Sequence, residues 1–91
     1  MFDVRYLGLR IAPSLAAMRE LMEEGDTLQD VKEILDYGYP APRKRKAGVI
    51  EKWLDRGNKT YNVVVVRDYH LFLHEELWLL IHYGKFTRGP R

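Results

Sequence analysis

Arg43-Lys44-Arg45-Lys46 is the longest run of like charge in the chain, with Pro40 and Pro42 just before it. Cations set against phosphates release condensed counterions and so add affinity that does not depend on base sequence. Tyr37, Tyr39 and Trp53 lie near this run and carry rings on which bases can stack. A second group follows the valines at 63–66: Arg67, His70, His74, His82, Tyr83, Lys85 and Arg88. Acid–base cleavage of RNA takes a proton acceptor, a proton donor and a cation for the phosphorane charge, and these side-chain types can supply all three. We single out Arg67, His82, Tyr83 and Lys85 as candidate catalytic residues, and Arg43, Lys44, Arg45 and Lys46 as candidate nucleic-acid-binding residues. Each also has a plain structural reading: a solvated loop for the basic run, core or helix-end packing for the aromatics, a hydrogen-bonded strand histidine for His82. The histidines have no carboxylates at a recognised ligand spacing, so no metal site is expected.

What is missing excludes other chemistries. Without cysteine there is no disulfide framework, thiolate zinc site or thiol nucleophile. No Ser-His-Asp arrangement, phosphate loop, dinucleotide fingerprint or paired catalytic carboxylates can be identified, so no cofactor is expected. Ninety-one residues, 46% hydrophobic and 31% charged, have the balance of one globular domain over 1–91. The longest apolar run, Leu77 to Ile81, is five residues, against the roughly 20 that a membrane-spanning helix needs. The N-terminus has no basic stretch leading into an apolar one, so cytoplasmic residence is expected, with no membrane partner. Charge is divided unevenly: residues 1–42 carry 4 Lys/Arg against 8 Asp/Glu (−4), and residues 43–91 carry 11 against 5 (+6). The basic half can face phosphates, or the two halves can pair with each other.

These residues must be positioned by a small number of elements. Asp3 to Ile11 alternates polar and apolar and reads as a first strand weakened by Gly8. Pro13 suits a helix start, and Leu15, Met18, Leu21 and Met22 recur at helical spacing up to Gly25. Thr27 is an N-cap with Asp30 three residues on; Leu28, Val31, Ile34 and Leu35 form the stripe of a second helix, with Gly38 as a left-handed stop. Tyr39 to Gly48 reads as an exposed loop in which two prolines forbid regular pairing. Val49–Leu54 and Thr60–Arg67 then read as a hairpin, with the valine strand central, and Leu77–Tyr83 as a last strand closed by Gly84. Residues 68–76 fit a turn, a strand continuation or a helical turn. The LWLLI run at 77–81 predicts a sheet face, with Trp78, that a partner would cover.

Residues 25–35, GDTLQDVKEIL, resemble the turn and second helix "G-x-[ST]-x-x-[DE]-V-x-x-x-L" of small domains related to BrnT-type toxins. The order of strand, two short helices, loop and antiparallel meander is similar to the wider RelE/ParE-like toxin superfold. The detailed match covers about a dozen residues, and the order covers most of the chain. The resemblance implies a ribonuclease or gyrase poison complexed with a small antitoxin, its active residues basic or aromatic and spread over the sheet. Such relatives often carry a His and an Arg on the first helix, where this chain has Ala16 and Glu20, so chemistry from that helix does not carry over.

Together these readings predict an α+β fold: two N-terminal helices packed on a four-stranded, mostly antiparallel sheet. The function they predict is a toxin–antitoxin-type RNA-binding protein or ribonuclease, a metal-independent endoribonuclease if it is an enzyme. The alternative is a non-catalytic module that dimerises or docks a protein or nucleic-acid partner through its sheet and basic loop. The partners expected are RNA and an antitoxin-like protein or a second copy.

Overall fold

Two helices lie on one face of a six-stranded sheet in the computed structural model, which describes residues 3–87. The strands are β1 (Arg5–Tyr6), β2 (Leu9–Pro13), β3 (Tyr39–Pro40), β4 (Val49–Arg56), β5 (Lys59–His70) and β6 (Glu75–Thr87), with α1 (Leu15–Glu24) and α2 (Leu28–Tyr37) between β2 and β3. Their order across the sheet is β1-β2-β6-β5-β4-β3, curling into a half-barrel. The Ser14 side chain caps α1 by accepting the Ala17 N–H (3.1 Å), and Gly25 ends it in a left-handed conformation. Asp30 reaches back to accept the Thr27 N–H (2.8 Å) at the start of α2. Each bond satisfies a donor that the helix leaves open.

The α+β class is as expected, but the four-stranded, mostly antiparallel sheet is not: the sheet has six strands and is mixed. Three local causes account for the difference. Leu7 and Gly8 both have positive φ, so the expected first strand folds into a β1–β2 hairpin instead of running through. β2 then joins the sheet parallel to β6, through Arg10↔Leu77 to Pro13↔Leu80. Tyr39 and Pro40 pair with Trp53 and Lys52, because at a sheet edge the missing proline N–H is not needed. Residues 68–76 are mostly strand continuation: β5 runs to His70, β6 starts at Glu75, and a turn joins them.

Ile11, Ala17, Leu21, Val31, Ile34, Leu35, Val63, Val65, Trp78, Leu80 and Tyr83 form the core between helices and sheet. Trp78 lies inside it, its indole N–H donating to the Tyr6 carbonyl (3.0 Å), so it does not present the uncovered apolar face that the LWLLI run suggests. Exposed apolar side chains gather instead at the β5–β6 turn, where Phe72 is 91% exposed beside Leu71 and Leu73. Met18 and Ile81 sit on the apolar stripes of their elements yet are 45% and 40% exposed. α1 turns Ala17, Glu20, Leu21 and Glu24 toward the sheet, which carries Met18 outward. A β-bulge explains Ile81: Val64 faces His82 and Val65 faces Leu80, so Ile81 is the extra residue. Leu79 is half-buried on the opposite face.

Gly38 is extended, not left-handed. It is a glycine because α2 ends against β4, where a Cβ would stand 2.5 Å from the Ile34 carbonyl oxygen and 2.6 Å from that of Trp53. Urea unfolding should separate these positions. Ile34→Ala and Leu80→Ala should each lose about 2–5 kcal/mol, and Gly38→Ala about 1–3 kcal/mol or more through overpacking. Met18→Ala should stay within about 0.5 kcal/mol, as an exposed substitution does.

Candidate nucleic-acid interface

β6 carries three of the four candidate catalytic residues, and strand alternation divides them. Tyr83 and Lys85 fall on the helix side, while His82 falls on the open face opposite Val64. Tyr83 is buried, and its hydroxyl donates to Asp26 Oδ2 at 2.5 Å. Burial first, and then the Asp26 carboxylate, push its pKa far above that of a free tyrosine, which makes it a structural hydroxyl. The Lys85 ammonium meets Glu24 at 2.7 Å. Arg67 stands about 10 Å or more from His82, since it pairs with Trp78 and strands rise ~3.3 Å per residue. It is held there by Glu76 at 2.6 Å. The four residues therefore do not converge in one concavity. Arg88 lies outside the described residues.

Glu20 does most to shape this end of the sheet. β2 stops at Pro13, and beyond it the outer edge of β6 has no neighbouring strand among the described residues. Glu20 Oε1 accepts the Tyr83 backbone N–H there (3.0 Å), while Oε2 lies 3.1 Å from His82 Nδ1. A proton on Nδ1 shared with this carboxylate leaves Nε2 as the acceptor nitrogen. That nitrogen lies over Gly84, where a Cβ would come within 3.0 Å of it and within 3.0 Å of Asn62 Oδ1. His70 plays a different part, its Nδ1 accepting the Leu73 N–H (3.1 Å) to close the hairpin turn. Among the described residues no three His, Asp or Glu side chains gather as a metal site requires. Nor, among them, is any helix long and apolar enough to cross a membrane.

The basic loop is ordered by a residue that the charge pattern alone does not mark. Glu51 points from β4 to the open sheet face with its side chain only 1% exposed. Arg43 grips it with Nε (3.1 Å) and NH2 (3.0 Å), Arg45 adds Nε (2.9 Å), and Trp53 donates its indole N–H (2.9 Å). Burial alone would raise the Glu51 pKa, but the bonds from Arg43, Trp53 and Arg45 outweigh it and lower the pKa from 4.5 to about 2. Alternate residues of the run thus fold onto the sheet, while Lys44 and Lys46 stay exposed with no ion-pair partner among the described residues. Trp53 stands between Tyr39 (ring centroids 6.4 Å) and Phe86 (5.4 Å), both edge-on, in a row across the same face. The signal that could have found Glu51 is its parity: it alternates with Val49 and Trp53 on a strand that follows the basic run.

The fold and this arrangement define a small α+β protein whose helices cover one sheet face and whose other face carries a basic loop beside an aromatic row. No protein-family model, no curated protein and no solved structure matches the chain.

The pH response of the fold follows from Glu51. Its folded pKa lies below its unfolded one, so its contribution is fully present above about pH 4.5 and is lost as pH falls toward 2. Thermal midpoints measured from pH 7 to 2 should drop in that acid window. In Glu51→Gln this part of the drop should be absent, and the variant should be less stable at pH 7, because two arginines lose their counter-charge.

Proposed function

We propose that the chain is an RNA-binding module that holds phosphates with its basic loop on the open sheet face. The observation that carries this is the split of the run: Arg43 and Arg45 are committed to Glu51, which fixes the loop and leaves Lys44 and Lys46 free for a ligand. A merely solvated loop has no need of a buried carboxylate to set its shape. The likeness of residues 25–35 to BrnT-related domains supports RNA as the nucleic acid, and an antitoxin-like protein or a second copy belongs to the same reading. Binding without catalysis is favoured, since Tyr83, Lys85 and Arg67 are each tied to a carboxylate away from the open face. Lys44→Gln with Lys46→Gln should weaken RNA binding across sequences and reduce the slope of log K against log salt by roughly 1.4, about 0.7 per single-strand phosphate contact. Wild-type protein with no salt-dependent RNA affinity would refute the proposal.

A second reading, metal-independent cleavage, has one observation in its favour: Glu20 holds Nδ1 of His82 and leaves Nε2 facing the open side near Asn62. On that reading His82→Ala lowers the cleavage rate by about 10² to 10⁴ while RNA affinity stays within about twofold. A protein that binds RNA and never cuts it ends this second reading only.

A further inference from the structure

The geometry around Glu51 points to a site for one unpaired nucleotide, its phosphate on the free N–H groups of Arg43 and Arg45 and its base on the Tyr39–Trp53–Phe86 row. This rests on the RNA-binding reading and names the kind of unit the open face takes. Glu51 engages Nε and NH2 of Arg43 but only Nε of Arg45. Both NH1 groups, and NH2 of Arg45, are left without a partner among the described residues. Two guanidiniums on one carboxylate leave a local surplus of one positive charge. A guanidinium already held at one edge presents its other edge in a fixed direction, the condition for forked recognition of a phosphate. Between the loop and β4 lies an open cavity of about 310 Å³, lined by Pro40, Arg43, Arg45, Glu51 and Lys52 among others.

The aromatic half of the site is joined to the charged half through the same carboxylate. Glu51 Oε2 accepts from both Arg43 NH2 (3.0 Å) and Trp53 Nε1 (2.9 Å), so ring and guanidinium share one anchor. Tyr39 and Phe86, flanking Trp53, are 42% and 43% exposed on a face that no helix covers. Solvent-facing rings beside a fixed cationic fork match the physics of unpaired strands, whose bases are free to stack; a duplex keeps its bases stacked on each other and offers only phosphates. Glu51 thereby acts as a positioning residue. It touches no ligand, but it sets the spacing between phosphate fork and stacking row.

Tryptophan fluorescence tests this, because Trp53 is half-buried on the open face while Trp78 lies in the core. The full chain is titrated with a ten-nucleotide oligouridylate, with an RNA duplex of the same length, with uridine monophosphate and with inorganic phosphate. The expected result is saturable quenching by the single strand, at least about tenfold tighter binding of it than of the duplex, and no quenching by duplex or phosphate. Quenching should vanish in Trp53→Phe, and Phe86→Leu should lower single-strand affinity about fivefold or more with duplex affinity unchanged. Glu51→Gln, checked for folding by circular dichroism, should shrink the single-strand preference while duplex binding through Lys44 and Lys46 persists. A simple folding defect would weaken binding of both ligands alike. Quenching by uridine monophosphate at strand-like affinity would identify a free nucleotide as the occupant, and quenching by the strand alone an unpaired stretch of RNA; either supports the site. Equal single-strand and duplex affinity without quenching overturns the nucleotide site and leaves phosphate binding by the loop intact. Absence of salt-dependent binding to any of these ligands overturns the RNA-binding reading itself.

Discussion

The outer edge of β6 beyond Pro13 is the constraint around which this chain is arranged. A strand edge with unpaired N–H and C=O groups must be covered or blunted. Here the cover changes kind partway along: β2 supplies it up to Pro13↔Leu80, Ser14 donates its N–H to the Leu80 carbonyl (2.8 Å), and α1 then runs alongside. Glu20 extends the cover by taking the Tyr83 N–H on one oxygen and placing the other by His82. With Glu20 committed to that edge, Glu24 one turn later meets Lys85, and Asp26 just beyond the helix meets the Tyr83 hydroxyl. Glu20, Glu24 and Asp26 thus tie α1 and the turn after it to β6.

That docking explains which parts of the fold were legible. The second helix could be read almost residue by residue, because its cap and its stripe are local: Thr27, Asp30, Val31, Ile34 and Leu35 depend on neighbours within a turn. The valine strand was legible for the same reason, its burial on both faces written into four adjacent residues. The rotation of α1 was not, since Met18 and Leu21 have equal claim to the core until the partners of Glu20 and Glu24 are known, and those lie some 60 residues away. Ile81 was lost to a bulge, which shifts parity without any mark in composition. β3, and the splitting of the first strand into β1 and β2, were missed because two-residue edge strands are fixed by what they pair with, not by their own propensity.

The candidate site divides along the same line. Residue type suggested His82, Tyr83 and Lys85 as a group, but period-2 alternation puts neighbours in a strand on opposite faces, so adjacency in sequence works against convergence. The basic run was visible as charge, yet its internal division was hidden, because it depends on Glu51 being buried on one particular face of β4. Asn62 and Gly84, facing one another across β5 and β6, came to notice only through the space that Gly84 leaves for His82.

The apparent dipole of the sequence, −4 in the first 42 residues and +6 in the rest, is partly offset inside the molecule by ion pairs between the two halves. Lys85 and Arg56 pair with Glu24 and Glu33 of the acidic half, and within the basic half Arg67 pairs with Glu76. Charges neutralised pairwise at contact distance project little field beyond a Debye length of about 8 Å in physiological salt. The field that reaches solvent must come from cations whose partners are absent or outnumbered. Those include Lys44 and Lys46, and the two guanidiniums sharing one Glu51. Lys44, Lys46 and the surplus guanidinium charge thus place part of that field beside the aromatic row, while Lys52 and Lys59, which have no carboxylate partner among the described residues, add to it elsewhere on the sheet.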